Sequence, residues 1–300
     1  MSILHFRGVS AMDLVANQSV GITVLWVFSI PCLRYAGLGC IKSIFYNFFF
    51  RQYRAALFPG RIPVSSVDHP LDEKIPFAPS WVGIYLDFIA FWVRILGFLR
   101  RHYRRRGIKP TRGFIKTIGR LYAFAAEIYA KNLSTTKRPR YLARPRFLLI
   151  HVVDPHLMCI PSLHVMVMIS AYTQFRSIIR SLGDEERFAP QVEEIRRGSV
   201  NITEAILYVK QHSVNCIAAA MYAMTCFDPT LFPPEEGADF VSRLFREGKG
   251  PEPADAEVIR GHILDLYLKF LKAGDSAETW GKPLVAFLCS QPQKKAGRKA

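Results

Sequence analysis

Long apolar blocks, separated by charged or proline-rich stretches, set the pattern of this chain. Ser19 to Leu33 is about fifteen residues of apolar sequence, followed by an aromatic cluster at Phe45 to Phe50. Fifteen residues is short for a hydrocarbon core of about 30 Å, which takes roughly 20. An interfacial or partly inserted helix is therefore expected as readily as a span, with the aromatics and Arg51 at head-group level. Residues 58–72 are rich in Pro, Gly, Ser and Asp and read as a connecting loop. Phe77 to Leu99 is the best membrane candidate at 23 residues, although it carries Asp87 and Arg94. Charges at that depth are costly, so they must face a bundle interior, or else the helix belongs to a peripheral protein.

The pattern then turns amphipathic. From Gly113 to Ala130 the charges of Lys116, Arg120 and Glu127 fall near one helical face and leave Phe114, Ile115, Ile118 and Leu121 for packing. Phe147 to Phe175 is apolar except around one polar motif, and Gly183 to Gly198 reads as a charged surface loop or solvated helix. Thr203 to Phe227 follows a helical pattern with Lys210, Gln211 and His212 in its middle. Beyond Asp228 come prolines and acids. Amphipathic helices are expected near Ala238 to Glu247 and Ala254 to Lys272, before the basic tail QPQKKAGRKA.

Charge sharpens this picture. The net charge is +16, and between Arg100 and Arg146 there are fifteen Lys or Arg against one acid, Glu127. Such a cluster suits nucleic acid, anionic lipid head groups or the positive-inside tendency. No base-stacking motif or zinc-finger spacing accompanies it, so no nucleic-acid partner is expected. By the positive-inside tendency the loop Arg100 to Arg112, with seven Lys or Arg, is cytoplasmic. Six scattered cysteines, with no CxxC pair, offer neither a zinc site nor a disulfide framework. No cleavable signal pattern opens the chain, so retention of the N-terminus is expected.

The polar motif lies in Asp154 to Met168, DPHLMCIPSLHVMVM. Pro161 suits a first helical position, which predicts a helix start whose free N–H groups at Ser162, Leu163 and His164 can bind an anion. A serine hydroxyl and an imidazole beside it suit phosphate, which needs several donors and, on leaving, a proton. Asp154 in Asp-Pro-His reads as a turn residue rather than a site residue. His151 and His156 read as surface or lining residues. Upstream, Lys131 with Arg138 and Pro139 gives the pattern K-x6-R-P, and it recurs at Lys137, Arg144 and Pro145. Lysine offers a point charge and arginine a planar fork, a pairing able to neutralise phosphoryl oxygens.

In this order, K-x6-R-P, then P-S-L-H, then LYVKQHSVNC at 207–216, the chain resembles the type 2 phosphatidic acid phosphatase superfamily, which includes vanadium haloperoxidases. DEKIPFAPSWVGIY, at 72–85, looks like the segment before the first core helix of its membrane branch related to inositol phosphotransferases. The resemblance covers about residues 71–227. It implies His212 as the nucleophile and His164 as the acid for the leaving oxygen. Ser162, Leu163, Lys131 and Arg138 would hold phosphate, with Lys137 and Arg144 as the second choice. Neither metal nor other cofactor is implied.

The chain departs from that pattern where the family has a carboxylate four residues after the nucleophile. Here stands Cys216, and Asn215 one position earlier is the other candidate for orienting the ring. The upstream S-R pair is replaced by Ala205 and Ile206. The expectation is thus an all-α, membrane-associated helical bundle in three regions: 1–70 hydrophobic or interfacial, 71–227 a lipid-phosphatase-like core, and 228–300 a soluble helical appendage. The expected activity is metal-independent phosphatase or phosphotransferase chemistry on a lipid phosphate or polyprenyl pyrophosphate, with the site on the non-cytoplasmic face. The alternative is a phosphatase-like membrane protein that binds phosphate-bearing lipids without turnover.

Overall fold

The computed structural model describes residues 14–139, 141, 143, 145–246 and 250–294. The chain is all-α. Ser19 caps α1 (Val20–Ser29) by accepting the Ile22 N–H at 3.4 Å. Pro31 then forces Ile30 out of the helical region, and α2 (Pro31–Ile44) leaves at a bend of 112°. The aromatic cluster forms a π-helical stretch, Phe45–Phe50, that runs into α3 (Arg51–Leu57). After a short strand β1 (Val64–Ser66) come α4 (Val82–Leu86), α5 (Phe88–Tyr103) and α6 (Ile108–Tyr129). A second strand β2 (Leu133–Thr135) pairs parallel to β1. The chain continues through α7 (Pro145–Val153), α8 (Leu163–Ser181), α9 (Ala189–Tyr208) and α10 (Val214–Phe227), and ends with α11 (Pro234–Arg243), α12 (Pro253–Asp275) and α13 (Lys282–Ser290).

Helix α8 is the axis of the core, packing against α5, α6, α9 and α10. Phe175, Ile169 and Met168 are fully buried there, each contributing about 2 kcal/mol of apolar burial. Small residues Ala218, Ala219 and Ala220 on α10 let α8 and α12 approach closely. The described residues from 228 to 294 are therefore joined to the core. Helix α12 lies along α10, and the terminal segment returns to β1, where Ser66 N donates to Pro292 O and Lys294 N to Val64 O.

Pro79–Tyr103 is long and apolar enough to cross a membrane, and the bent pair α1 with α2–α3 meets the same test taken together. Asp87 and Arg94 neutralise each other, Arg94 Nη1 donating to Asp87 Oδ2 at 2.6 Å and Nη2 to Oδ1 at 2.8 Å. Half of the residues of α5 are nonetheless buried, Phe91, Ile95, Phe98 and Leu99 among them. Most of the exposed large apolar side chains lie on α1, α2, α3 and α7, such as Leu25, Tyr35, Leu57 and Val152, with Ile89 exposed on α5.

Three local expectations need correcting. The segment 58–72 contains β1, whose partner lies about 70 residues away and leaves no local signal. Pro161 is not at the first helical position, since α8 starts at Leu163 with Ser162 as its cap, after a cis Ile160–Pro161 bond. Thr203–Phe227 is not one helix. It breaks at Val209–Ser213, where Lys210 takes φ +55°. The charged stretch 183–198 is a turn followed by the first half of α9. The six terminal residues of the basic tail lie outside the described residues.

Candidate functional site

Three long-range devices bring the polar motifs together. The first is the β1–β2 pair, which fixes the loop after α6. Ser134 N donates to Leu157 O at 3.0 Å and Ser134 Oγ accepts Ile160 N at 2.7 Å, so the strand also positions the segment before Pro161. Asp68 Oδ1 accepts Lys137 N at 2.7 Å and sets the course of the chain into Arg138. The second is the cap of α8, where Ser162 Oγ accepts Val165 N at 3.5 Å and Tyr129 OH donates to Pro161 O at 2.5 Å.

The third is the turn carrying His212. Lys210 Nζ donates to the carbonyls of Asp72 and Ile75, and Ala78 N to Tyr208 O at 3.0 Å. Asp72 Oδ1 accepts Val214 N at 2.9 Å, at the start of α10. The segment 72–78 thus forms the seat of the turn. Burial raises the Asp72 pKa, partly offset by the backbone N–H groups of His69 and Val214.

These devices converge on one group. Ser162 Oγ lies 3.3 Å from His212 Nε2, and the His164 and His212 rings are 5.5 Å apart between centroids. The His164 ring stacks on Tyr85 at 4.8 Å and meets Phe88 at 4.4 Å. Next to the pair stands His156, with its ring 6.5 Å from that of His212 and its Nε2 2.7 Å from Thr136 Oγ1. Asp154 ties the group to Arg138. Arg138 Nη1 donates to Asp154 O at 3.0 Å and Nη2 pairs with Asp154 Oδ2. Asp154 Oδ1 accepts His156 N at 2.9 Å and Gln52 Nε2 at 2.8 Å. Arg138 Nε is buried and has no partner among the described residues.

Electrostatics follow from burial. His212 is lowered well below the ordinary imidazole range, first by burial and then by the neighbouring imidazoles of His164 and His156. Burial also brings His164 down to about 4 and lowers His156. All three rings are therefore neutral near pH 7. Burial pushes Asp154 up, but the His156 hydrogen bonds and Arg138 outweigh it and hold the carboxyl well below its usual range.

The site predicted from sequence is thus assembled in part. Ser162, His164 and His212 meet, Arg138 stands beside them through Asp154 and His156, and Leu163 supplies the first N–H of α8. Lys131 is exposed beyond the end of α6 and makes no described contact with this group. Lys137 is exposed as well, with only its backbone engaged by Asp68. Arg144 lies outside the described residues. Asn215 does not orient His212, because its Nδ2 donates to Val67 O at 3.2 Å and its Oδ1 is 2.9 Å from His262 Nε2. Cys216 is fully buried and burial pushes its thiol pKa well up, so it brings no negative charge. His212 Nδ1 is buried without a partner among the described residues.

The turn reading of Asp154 and the surface or lining reading of His156 need correcting, since both belong to the group around His212. His156 is 7% exposed and, at φ +59°, adopts a backbone conformation that bulky residues rarely take. Their adjacency in Asp-Pro-His was the available signal, but the same tripeptide serves ordinary turns. Comparison of this chain with family models, with curated proteins and with solved structures gives no match.

Proposed function

We propose that this protein is a metal-independent phosphatase or phosphotransferase acting on a lipid phosphate or polyprenyl pyrophosphate, as the likeness to the type 2 phosphatidic acid phosphatase superfamily implies. The observation that carries the reading is the meeting of Ser162, His164 and His212 beside Arg138, from segments separated by tens of residues. A neutral His212 has the lone pair a nucleophile needs, and burial supplies that state.

In the reaction, His212 Nε2 attacks phosphorus while the bond to the leaving oxygen breaks, and His164 gives that oxygen its proton. Water then attacks the phosphohistidine, with His164 taking back a proton and His212 leaving. The net change is ester plus water to alcohol plus phosphate. Ser162 Oγ, the first N–H groups of α8 and the spare donors of Arg138 would hold the phosphoryl oxygens. Because His164 is neutral in the empty site, its acid role requires a proton taken up with the substrate. An arriving phosphate favours this, since a neighbouring anion raises an imidazole pKa.

If α5 spans the bilayer with Arg100–Arg112 in the cytoplasm, Phe88 and the histidine group beside it stand about 18 Å from Arg100, past the middle of a core of about 30 Å and so nearer the non-cytoplasmic side. A second reading, binding of phosphate-bearing lipid without turnover, is favoured by the partnerless Nδ1 of His212. One experiment separates them: release of phosphate from phosphatidic acid and from polyprenyl pyrophosphate, with and without vanadate, repeated with His212→Ala. Vanadate-sensitive release lost in that variant is the expected result. Absent release, or release indifferent to His212→Ala, sinks the enzyme reading.

A further inference from the structure

At the far end of α5 lies a cleft of about 530 Å³ whose lining includes Trp26 and Ile30 from the end of α1 and Arg100, Arg101, Arg104 and Arg105 from the end of α5 and the turn that follows. Twelve residues of helix separate Phe88 from Arg100, about 18 Å of rise, so this cleft is distinct from the histidine group. Four arginines within six residues repel one another. None is paired with a carboxylate among the described residues, and Arg100 Nε is buried without a partner.

Such an array is stabilised by an anion with several acceptor oxygens. The opposite wall is apolar, and its flank continues as exposed hydrophobic surface on α1 and α2, with Leu25 73% and Tyr35 72% exposed. An anion that meets arginines on one side and hydrocarbon on the other is an acidic phospholipid, its head group in the cleft and its chains along α1. Nucleic acid would gain nothing from the apolar wall.

We infer that the cleft formed by Trp26, Ile30, Arg100, Arg101, Arg104 and Arg105 is a binding site for the head group of an acidic phospholipid. This does not rest on the proposed catalysis. The site anchors the base of α5 and α1 to an anionic membrane surface, where basic residues each add appreciably to binding.

The test is calorimetric titration of the full chain in neutral detergent with dioctanoyl phosphatidylglycerol, with dioctanoyl phosphatidylcholine as the neutral control. Saturable binding of phosphatidylglycerol is expected. It should weaken at least about tenfold in Arg104→Glu/Arg105→Glu and change less than about twofold in Arg180→Glu/Arg187→Glu, which alters net charge equally at another exposed patch. Arg104→Gln/Arg105→Gln, with weakening in the same direction, serves if the charge reversal unfolds. Binding retained in His212→Ala, and not displaced by millimolar inorganic phosphate or an oligonucleotide, places the lipid in this cleft. Equal binding of the neutral lipid, equal loss in the two charge reversals, loss in His212→Ala, or displacement by phosphate or oligonucleotide would overturn the assignment.

Discussion

Ser162 Oγ sits 3.3 Å from Nε2 of His212, while Nδ1 of the same ring is buried with no partner among the described residues. One side of the imidazole is engaged and the other is empty. A buried unsatisfied ring nitrogen costs about 1–3 kcal/mol, so a group that satisfied Nδ1 would stabilise the ring.

Cys216→Asp addresses the empty side. A carboxylate that reached Nδ1 would fix the tautomer and stabilise the cation that the proposed phosphoryl transfer would form. We expect turnover to rise at least about tenfold, a fraction of the roughly 10⁴ that loss of such a group costs elsewhere, while Cys216→Ser leaves it unchanged. Steady-state assays of both variants on the same lipid phosphate decide the matter. An equal response from aspartate and serine counts against an orienting role.

Ser162→Ala removes two things at once. As the cap of α8 the hydroxyl accepts Val165 N, and its loss should cost about 1 kcal/mol of stability. As the neighbour of His212 it should also cost phosphate-analogue affinity. Urea denaturation and vanadate binding measure the two separately. A stability loss with unchanged vanadate affinity would confine Ser162 to capping.

Asp154→Asn tests the link between Arg138 and His156. The guanidinium side chain is 13% exposed, and removing its counter-charge should cost about 3 kcal/mol, as breaking largely buried pairs does. The urea midpoint is the measurement. A change below about 0.5 kcal/mol would show that Asp154 is not the anchor of this group.

Acid should weaken the fold through its buried histidines. His156, His164 and His212 all have folded pKa values below the unfolded value near 6.5. The unfolded chain therefore binds more protons, and stability falls as pH drops from about 6.5 towards the folded values, about 4 for His164. Asp154 is shifted in the same direction, its folded carboxyl lying below the unfolded value near 3.8, so its contribution stays intact through that window and is lost only at lower pH. Urea midpoints at pH 7.5, 6 and 5 should decline in that order, and a flat profile would mean that these rings are hydrated.

Gly97→Ala tests the seat of α1. A Cβ there would stand 2.5 Å from Thr23 Oγ1 and 3.0 Å from Gln18 Cβ. Either α1 shifts away from α5 or the variant loses about 1–3 kcal/mol. A thermal midpoint indistinguishable from the parent would show that α1 is loosely held.

The amphipathic period of α6 was readable because Phe114, Ile115, Ile118 and Leu121 bury one face, and all four are 2% exposed or less. Thr203–Phe227 reads as one helix for a different reason: both halves are apolar and buried, and the polar run Lys210–Ser213 between them is as compatible with a helix as with a turn, which is fixed by carbonyls of Asp72 and Ile75 more than 130 residues upstream. The K-x6-R-P loop held two registers in sequence. Of its cations the structure brings Arg138 to the histidines and leaves Lys131 exposed, because β1–β2 pairing and Asp68 direct the chain.

By itself the sequence determined the helical class, the apolar faces and the candidate histidines, since periodicity and residue chemistry are local properties. The tertiary structure alone decided that Ser162 faces His212, that Asp154 ties Arg138 to His156, and that residues 253–294 pack into the core. Those relationships depend on hydrogen bonds and packing between segments far apart in the chain. No local pattern of hydrophobic and polar residues encodes them.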